Sequence, residues 1–261
     1  MSRESRPPAT GPRAVLVDMD DTIFDHSLTC RAAIASLRRS RSFLRRRPLD
    51  DLWREYLRLL DAVAPYARPG RTSLDEARTE RWRRVALSCG RQLSPAEAAT
   101  LSGSYRAHYQ RLRRAVPGAR ELVQRLHRRV RVVVVTNNEV AEQEEKVRFL
   151  GIGPWIDGLV VSEAVGAAKP DRRIFDVALS TAGVRADEAT MLGDSWTSDV
   201  MGATGAGIRA VWFNRFGLPR PDGATTFELR SLRPAGSAQD VLLARGGRPR
   251  GPPPAPGASE L

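Results

Sequence analysis

The sequence predicts a doubly wound α/β fold, a parallel sheet covered by helices on both faces, with a block of helices inserted after the first strand. Two observations carry this: short apolar runs of strand type alternate with helical patterns, and residues 27–115 show helical apolar spacing without any β-branched run. The strands are AVLV before Asp18, RVVVVT ending at Thr136, GLVVS ending at Ser162, ATMLG before Asp194 and RAVWF ending at Phe213. Helices are expected over roughly 117–129, 139–150, 171–182 and 198–206, with Pro170-Asp171 and Thr197-Ser198 as entry signals for the last two.

Within the insertion, Ala32, Leu37 and Leu44, then Leu52, Tyr56, Leu59 and Leu60, then Trp82, Val85 and Ala86, then Leu101, Tyr105 and Leu112 mark the apolar faces of about four amphipathic helices. Breaks at Arg47-Pro48, Ala64-Pro65, Arg68-Pro69-Gly70 and Ser94-Pro95 separate them. Residues 1–12 and the Pro/Gly-rich 245–261 have too little apolar surface to order themselves. The expected organisation is therefore a core of 13–26 and 116–244, a helical insertion of 27–115, and disordered ends at 1–12 and 245–261.

At 261 residues and 41% hydrophobic, the chain can bury one large core or two small ones. Its longest aliphatic stretch, Val132 to Val135, is far too short to span a bilayer, and MSRESRPPATGPR lacks the apolar centre of a signal peptide, so a cytoplasmic protein is expected. Two cysteines, Cys30 and Cys89, and three scattered histidines exclude a disulfide framework and a structural zinc site. The formal charge of +12 is concentrated: between Asp25 and Val130 there are 24 Arg against 10 Asp plus Glu. Solvated helical faces account for most of these arginines, and an anionic partner is the alternative. Only Lys146 and Lys169 are lysines among 42 basic residues, which marks both as places where a compact ammonium is wanted instead of a planar fork.

Four loops at the carboxyl ends of strands carry the chemistry, and in open α/β sheets that edge is where ligands bind. Asp18-Met19-Asp20-Asp21-Thr22 follows the first strand, and its three carboxylates repel one another unless a divalent cation such as magnesium sits among them; an acidic helix start is the plainer reading. Thr136-Asn137-Asn138 offers a hydroxyl and loop amides for phosphate oxygens, or is an ordinary strand-ending turn. Ala168-Lys169-Pro170-Asp171 places an ammonium just ahead of a helix start, or is a Pro-initiated helix with an exposed lysine. Gly193-Asp194-Ser195-Trp196-Thr197-Ser198-Asp199 brings further acids to the same edge, or caps a helix. Gly202-Ala203-Thr204-Gly205-Ala206-Gly207 is no dinucleotide loop, because it follows a helix; its glycines are expected to end that helix in left-handed conformations. His26 and Trp196 could line a pocket, or simply pack.

Taken in order, the four loops resemble those of the haloacid dehalogenase superfamily, over essentially residues 13–235. The resemblance implies a Rossmann-like core with a small α-helical cap, in the branch of nucleotidase-like and sugar-phosphate phosphatases. It matches Asp18 to the nucleophile, Asp20 to the general acid/base, Thr136 to the second motif, Lys169 to the third, and Asp194 with Asp199 to the fourth. The implied ligands of magnesium are Asp18, Asp20 through its backbone carbonyl and Asp194, with Asp199 in direct or indirect support, while Thr136, Asn137 and Lys169 would hold the phosphoryl group. Asp21 departs from the pattern, since glycine is common there. Family dehalogenases usually lack an acid at the place of Asp20, having no leaving oxygen to protonate, so Asp20 favours phosphoryl transfer. The function implied is a magnesium-dependent phosphatase of a small phosphorylated metabolite such as a nucleotide or sugar phosphate. A phosphomutase, or a basic nucleic-acid or protein-binding module, is the alternative; without exposed aromatics among the Arg clusters, nucleic acid is the weaker partner.

Overall fold

A computed structural model describes residues 11–63, 74–221 and 226–244. The ends expected to be disordered fall outside these residues, apart from Gly11 and Pro12. The chain separates into two compact units, one running to Phe24 and resuming at Ala115, the other spanning Asp25–Arg114.

The first unit is built on a six-stranded, wholly parallel sheet in the order β3-β2-β1-β4-β5-β6. Its strands are β1 (Ala14–Val17), β2 (Arg131–Thr136), β3 (Gly158–Val161), β4 (Ala189–Gly193), β5 (Arg209–Phe213) and β6 (Phe227–Leu229). The AVLV and VVVV runs are buried throughout, as strands covered on both faces require, and Leu16 pairs with Val133 on one side and Met191 on the other. Because β1 lies between β2 and β4, the strand order reverses there, and it is at the carboxyl ends of strands at such a reversal that open α/β sheets bind ligands.

The inserted unit folds as α1 (His26–Ser40), the single turn α2 (Ser42–Arg45), α3 (Leu49–Val63), α4 (Leu74–Ser88) and α5 (Pro95–Arg111). α5 begins with a full capping box, Ser94 accepting from the Glu97 N–H and Glu97 reaching back to the Ser94 N–H. The helices bury Leu37, Tyr56, Trp82 and Tyr105 in a core of their own, with the Trp82 and Tyr105 rings 4.8 Å apart. The first unit continues with α6 (Ala119–His127), α7 (Val140–Leu150), α8 (Ser162–Val165), α9 (Arg172–Ala182), a π-helical segment at Trp196–Met201 running into α10 (Gly202–Gly205), and α11 (Ala235–Leu243). Among the described residues no helix is long and apolar enough to cross a membrane.

Several expectations need correction. The sheet has a sixth strand and a closing helix, β6 and α11, that the apolar runs do not announce. The helix expected over 198–206 starts two residues earlier, and its entry residue is Ser195, whose hydroxyl accepts from the Ser198 N–H, instead of Thr197-Ser198. Of the three glycines at 202–207 only Gly207 is left-handed (φ +80°); Gly202 is helical, and a Cβ there would meet the Phe175 ring at 2.8 Å.

Candidate active site

Asp18 is the first residue beyond β1, and its N–H still bonds to the Leu192 carbonyl of β4 at 2.9 Å, so the centre of the sheet fixes it. The chain then turns tightly, the Ile23 and Phe24 N–H groups both bonding to the Met19 carbonyl. Asp21 occupies the left-handed region at φ 58°, a conformation that favours glycine and that aspartate tolerates better than most residues; this is the physical content of its departure from the family pattern. Thr22, fully buried, directs its hydroxyl at Asp18 Oδ2 (3.1 Å) and Asp194 Oδ1 (3.5 Å).

Lys169 is buried, 6% exposed, which overturns the reading of an exposed lysine before a helix. Its Nζ donates to Asp18 Oδ1 (2.5 Å), Asp199 Oδ1 (2.6 Å) and the Val135 carbonyl of β2 (2.9 Å), so all three donors are used. The Asn137 side chain clamps the lysine's backbone, accepting from its N–H at 2.8 Å and donating to its carbonyl at 3.0 Å. That amide, expected on a ligand, is thus engaged in the scaffold of Lys169. Asp199 spends its second oxygen on the Ser195 N–H (3.0 Å), and Gly193 makes room for it: a Cβ on Gly193 would lie 2.3 Å from the Asp199 carboxylate. The Asp194 carbonyl is pinned by the Trp212 indole N–H at 2.8 Å, and Trp196 packs edge-on against Trp212 with centroids 5.1 Å apart.

Burial pushes the Asp18 carboxyl up to about 7, the charges of Asp199 and Asp20 adding to the rise while Lys169 opposes it. Burial and the charges of Asp18, Asp199 and Asp21 also hold Asp194 well above the usual carboxylate range. Burial works against the Lys169 charge as well, but Asp18 and Asp199 outweigh it and keep the ammonium above its usual range. One oxygen from each of Asp18, Asp194 and Asp199 lies within 4.8 Å of the others, while the Lys169 ammonium pairs with Asp18 and Asp199 alone. A donor set of oxygens alone, with more negative charge than its lysine offsets, fits a hard divalent cation such as magnesium.

Asp20 faces elsewhere. Both its oxygens accept from Lys146 Nζ, at 2.7 and 2.8 Å, and Oδ2 also accepts from Gln143 Nε2 at 3.2 Å. Gln143 and Lys146 are one turn apart on the buried side of α7, where an apolar residue is the usual occupant. Neither was assigned a role from the sequence, although Lys146 carried a signal as one of only two lysines. Thr136, buried at the end of β2, stands one residue beyond the carbonyl that holds Lys169. Asn138 is taken up locally, its N–H bonding to the Ser162 hydroxyl at 3.0 Å and its Oδ1 accepting from Glu139. His26 bonds within the helical unit, Nδ1 to the Tyr109 hydroxyl at 2.9 Å.

Comparison with known proteins shows what the chain is similar to. Pyrimidine 5'-nucleotidase YjjG of Escherichia coli is 35% identical over 119 residues, an alignment covering 45% of this chain and 53% of that protein. Phosphoserine phosphatase of Thermus thermophilus is 29% identical over 259 residues, covering 89% of this chain and 98% of that protein. The magnesium-bound crystal structure of YfnB from Bacillus subtilis superposes with a TM-score of 0.70 at 25% identity, covering 88% of this chain and 99% of that one. A solved dehalogenase, 18% identical with a TM-score of 0.69, shares the fold alone. The family model described as haloacid dehalogenase-like hydrolase matches residues 12–207, from the approach to β1 through α10, and so takes in every acidic loop described above. This chain belongs to the haloacid dehalogenase-like hydrolases.

Proposed function

We propose that the protein is a magnesium-dependent phosphatase that hydrolyses a small phosphomonoester through an aspartyl-phosphate on Asp18. The observation that carries the reading is the placement of two carboxylates two residues apart in different electrostatic settings, Asp18 against Lys169 and Asp20 against Lys146. In the first step an Asp18 oxygen attacks phosphorus in line, the bond from phosphorus to the leaving oxygen breaks, and Asp20 gives that oxygen a proton. In the second, Asp20 takes a proton from water as the water attacks phosphorus, which frees Asp18 and releases phosphate. Lys169, held in place by Asn137 and Asp199, orients Asp18 and offsets the charge that gathers on the phosphoryl oxygens, with Thr136 as a further donor. Asp18 and Asp194, together with Asp20 through its backbone carbonyl, would hold magnesium, which supplies the positive charge that lets an anionic nucleophile meet an anionic phosphate. Asp199, with both oxygens engaged, acts through Lys169.

The acid at Asp20 favours a phosphate ester over a carbon–halogen bond, since only the ester has a leaving oxygen to protonate. The relatives that act on a nucleotide and on phosphoserine support a small phosphorylated metabolite as substrate. The helical unit, as a cap, would select the leaving group. Phosphate release should be measured over nucleoside and sugar monophosphates, with magnesium and with chelator. Metal-dependent release is expected from at least one, with Asp18→Asn folded and reduced by about three orders of magnitude or more. Full activity in that variant would overturn the nucleophile assignment.

A further inference from the structure

The acid/base residue proposed above needs its own support, and α7 carries a pair of buried polar side chains that touch it. Lys146 is 2% exposed and Gln143 fully buried, a costly choice on the inner face of a helix unless something is gained by it. The contacts that hold Lys146 are specific: Asp20 at 2.7 and 2.8 Å, Glu142 at 3.5 Å one turn back, and the Phe24 ring with its centroid 5.2 Å from Nζ. The Phe149 ring of α7 meets Phe24 edge-on, with centroids 5.9 Å apart. Gln143 spends its amide N–H on Asp20 Oδ2 while its own Oε1 is buried without a hydrogen bond, an arrangement that costs stability and serves the carboxylate. Lys169 and Asn137 already form one such device around Asp18; Lys146 and Gln143 form a second around Asp20.

We propose that Lys146, seconded by Gln143, is the positioning residue of Asp20: it fixes the carboxylate's orientation at the sheet edge, so that Asp20 meets the leaving oxygen and then the attacking water without a search among rotamers. Lys146 itself gives up no proton and touches no substrate. The inference rests on the phosphatase reading and adds to it a residue outside the four sequence loops.

The leaving group separates positioning from mere structural support. A nitrophenolate departs without a proton, whereas the 5'-alkoxide of a nucleoside monophosphate needs one, and kcat/KM reports the step in which the leaving group departs. Lys146→Met should lower kcat/KM for a nucleoside 5'-monophosphate about tenfold more than for p-nitrophenyl phosphate, a share of the factor that general acid catalysis contributes. Lys146→Arg should recover part of that difference. Gln143→Leu, which removes a buried unsatisfied acceptor and keeps the ion pair, should show the same split at about threefold, whatever Lys146→Met does to folding. On an Asp20→Asn background Lys146→Met should add nothing to the split. Equal losses on both substrates, or a split that persists without Asp20, would overturn the inference. Wild-type protein that releases phosphate from neither substrate with magnesium would overturn the phosphatase reading itself, and the inference with it.

Discussion

The surface of the helical unit and the loop site of the α/β unit handle charge in opposite ways. In the helical unit, acids and arginines meet at the surface one turn apart: Arg54 with Asp51, Arg58 with Glu55, Arg78 with Asp75, and Arg83 and Arg84 with Glu80. Pairs of this kind are each worth about 0.3–0.5 kcal/mol, and their loss changes little. At the ends of β1 and β4 in the α/β unit the charges are fewer in number and unequal in sign, with Asp18, Asp199 and Lys169 buried together and Asp194 half-buried beside them. The arginine excess is therefore a poor guide to function, although it dominates the composition. At the end of β1 the fold holds charge away from water and uses lysine for it, whereas the buried Arg81 of the helical unit rests on the Tyr56 ring and hydroxyl.

The sharpest way to break that contrast is Lys169→Met. Removing the ammonium leaves buried Asp18 and Asp199 facing each other without their shared partner, and breaking a buried ion pair in this way costs about 3–5 kcal/mol. Thermal melting in chelator should show a loss of that order, and phosphate release should fall by at least about a hundredfold, since the same side chain orients the nucleophile. An unchanged melting temperature would mean that water or rearrangement satisfies the carboxylates, and the contrast between the units would lose its basis.

Gly193→Ala probes the same cluster without changing its charge. The added Cβ would press on the Asp199 carboxylate, so Asp199 must shift and its hold on Lys169 loosen. A destabilisation of about 1–3 kcal/mol is expected, the usual cost of overpacking, together with a fall in kcat larger than any change in KM. If kcat is untouched, the register of Asp199 against Lys169 is less exacting than the distances suggest.

The site loops were legible because the sheet edge turns a one-dimensional pattern into a place: an apolar run followed at once by Asp18, or by Asp194, can point only to the carboxyl end of a strand. Lys169, separated from β3 by the turn α8, was legible for another reason: it is one of only two lysines in an arginine-rich chain and stands just ahead of a helix start. Lys146 and Gln143 were not, because α7 reads as an ordinary amphipathic helix, and only the packing of α7 toward the β1 loop shows that its inner face is polar. Among the elements of the fold, β6 escaped notice because Phe-Glu-Leu is three half-buried residues with no β-branched run. α11 escaped because the stripe it buries, Ala235, Ala238 and Leu242, is mostly alanine and gives only a weak apolar signal. The start of the π-helical segment was misplaced since Ser195, Thr197 and Ser198 are all competent caps, and it is the Asp199 carboxylate on the Ser195 N–H that selects among them.

The smallest effect belongs to the helical unit and completes the contrast. Glu80 accepts from Arg83 Nε at 2.6 Å and Arg84 Nε at 2.7 Å, and the bond from Arg83 leads in drawing its carboxyl down to about 2. A carboxylate held below its unfolded value adds stability that is complete above that value, near 4.5, and is lost as the pH falls toward 2. Taken at face value, that shift would correspond to several kcal/mol, but Glu80 keeps a third of its side chain in water and its partners are more exposed still, so solvent screening reduces the contribution to about 0.5 kcal/mol. Glu80→Gln should therefore lower the stability measured by urea unfolding at pH 7 by about that amount, less at high salt, and by nothing at pH 2. A loss of several kcal/mol at pH 7 would show that this surface triad is coupled to the helical core. Charge in the helical unit would then matter for the fold in the way that it matters, through burial, at the end of β1.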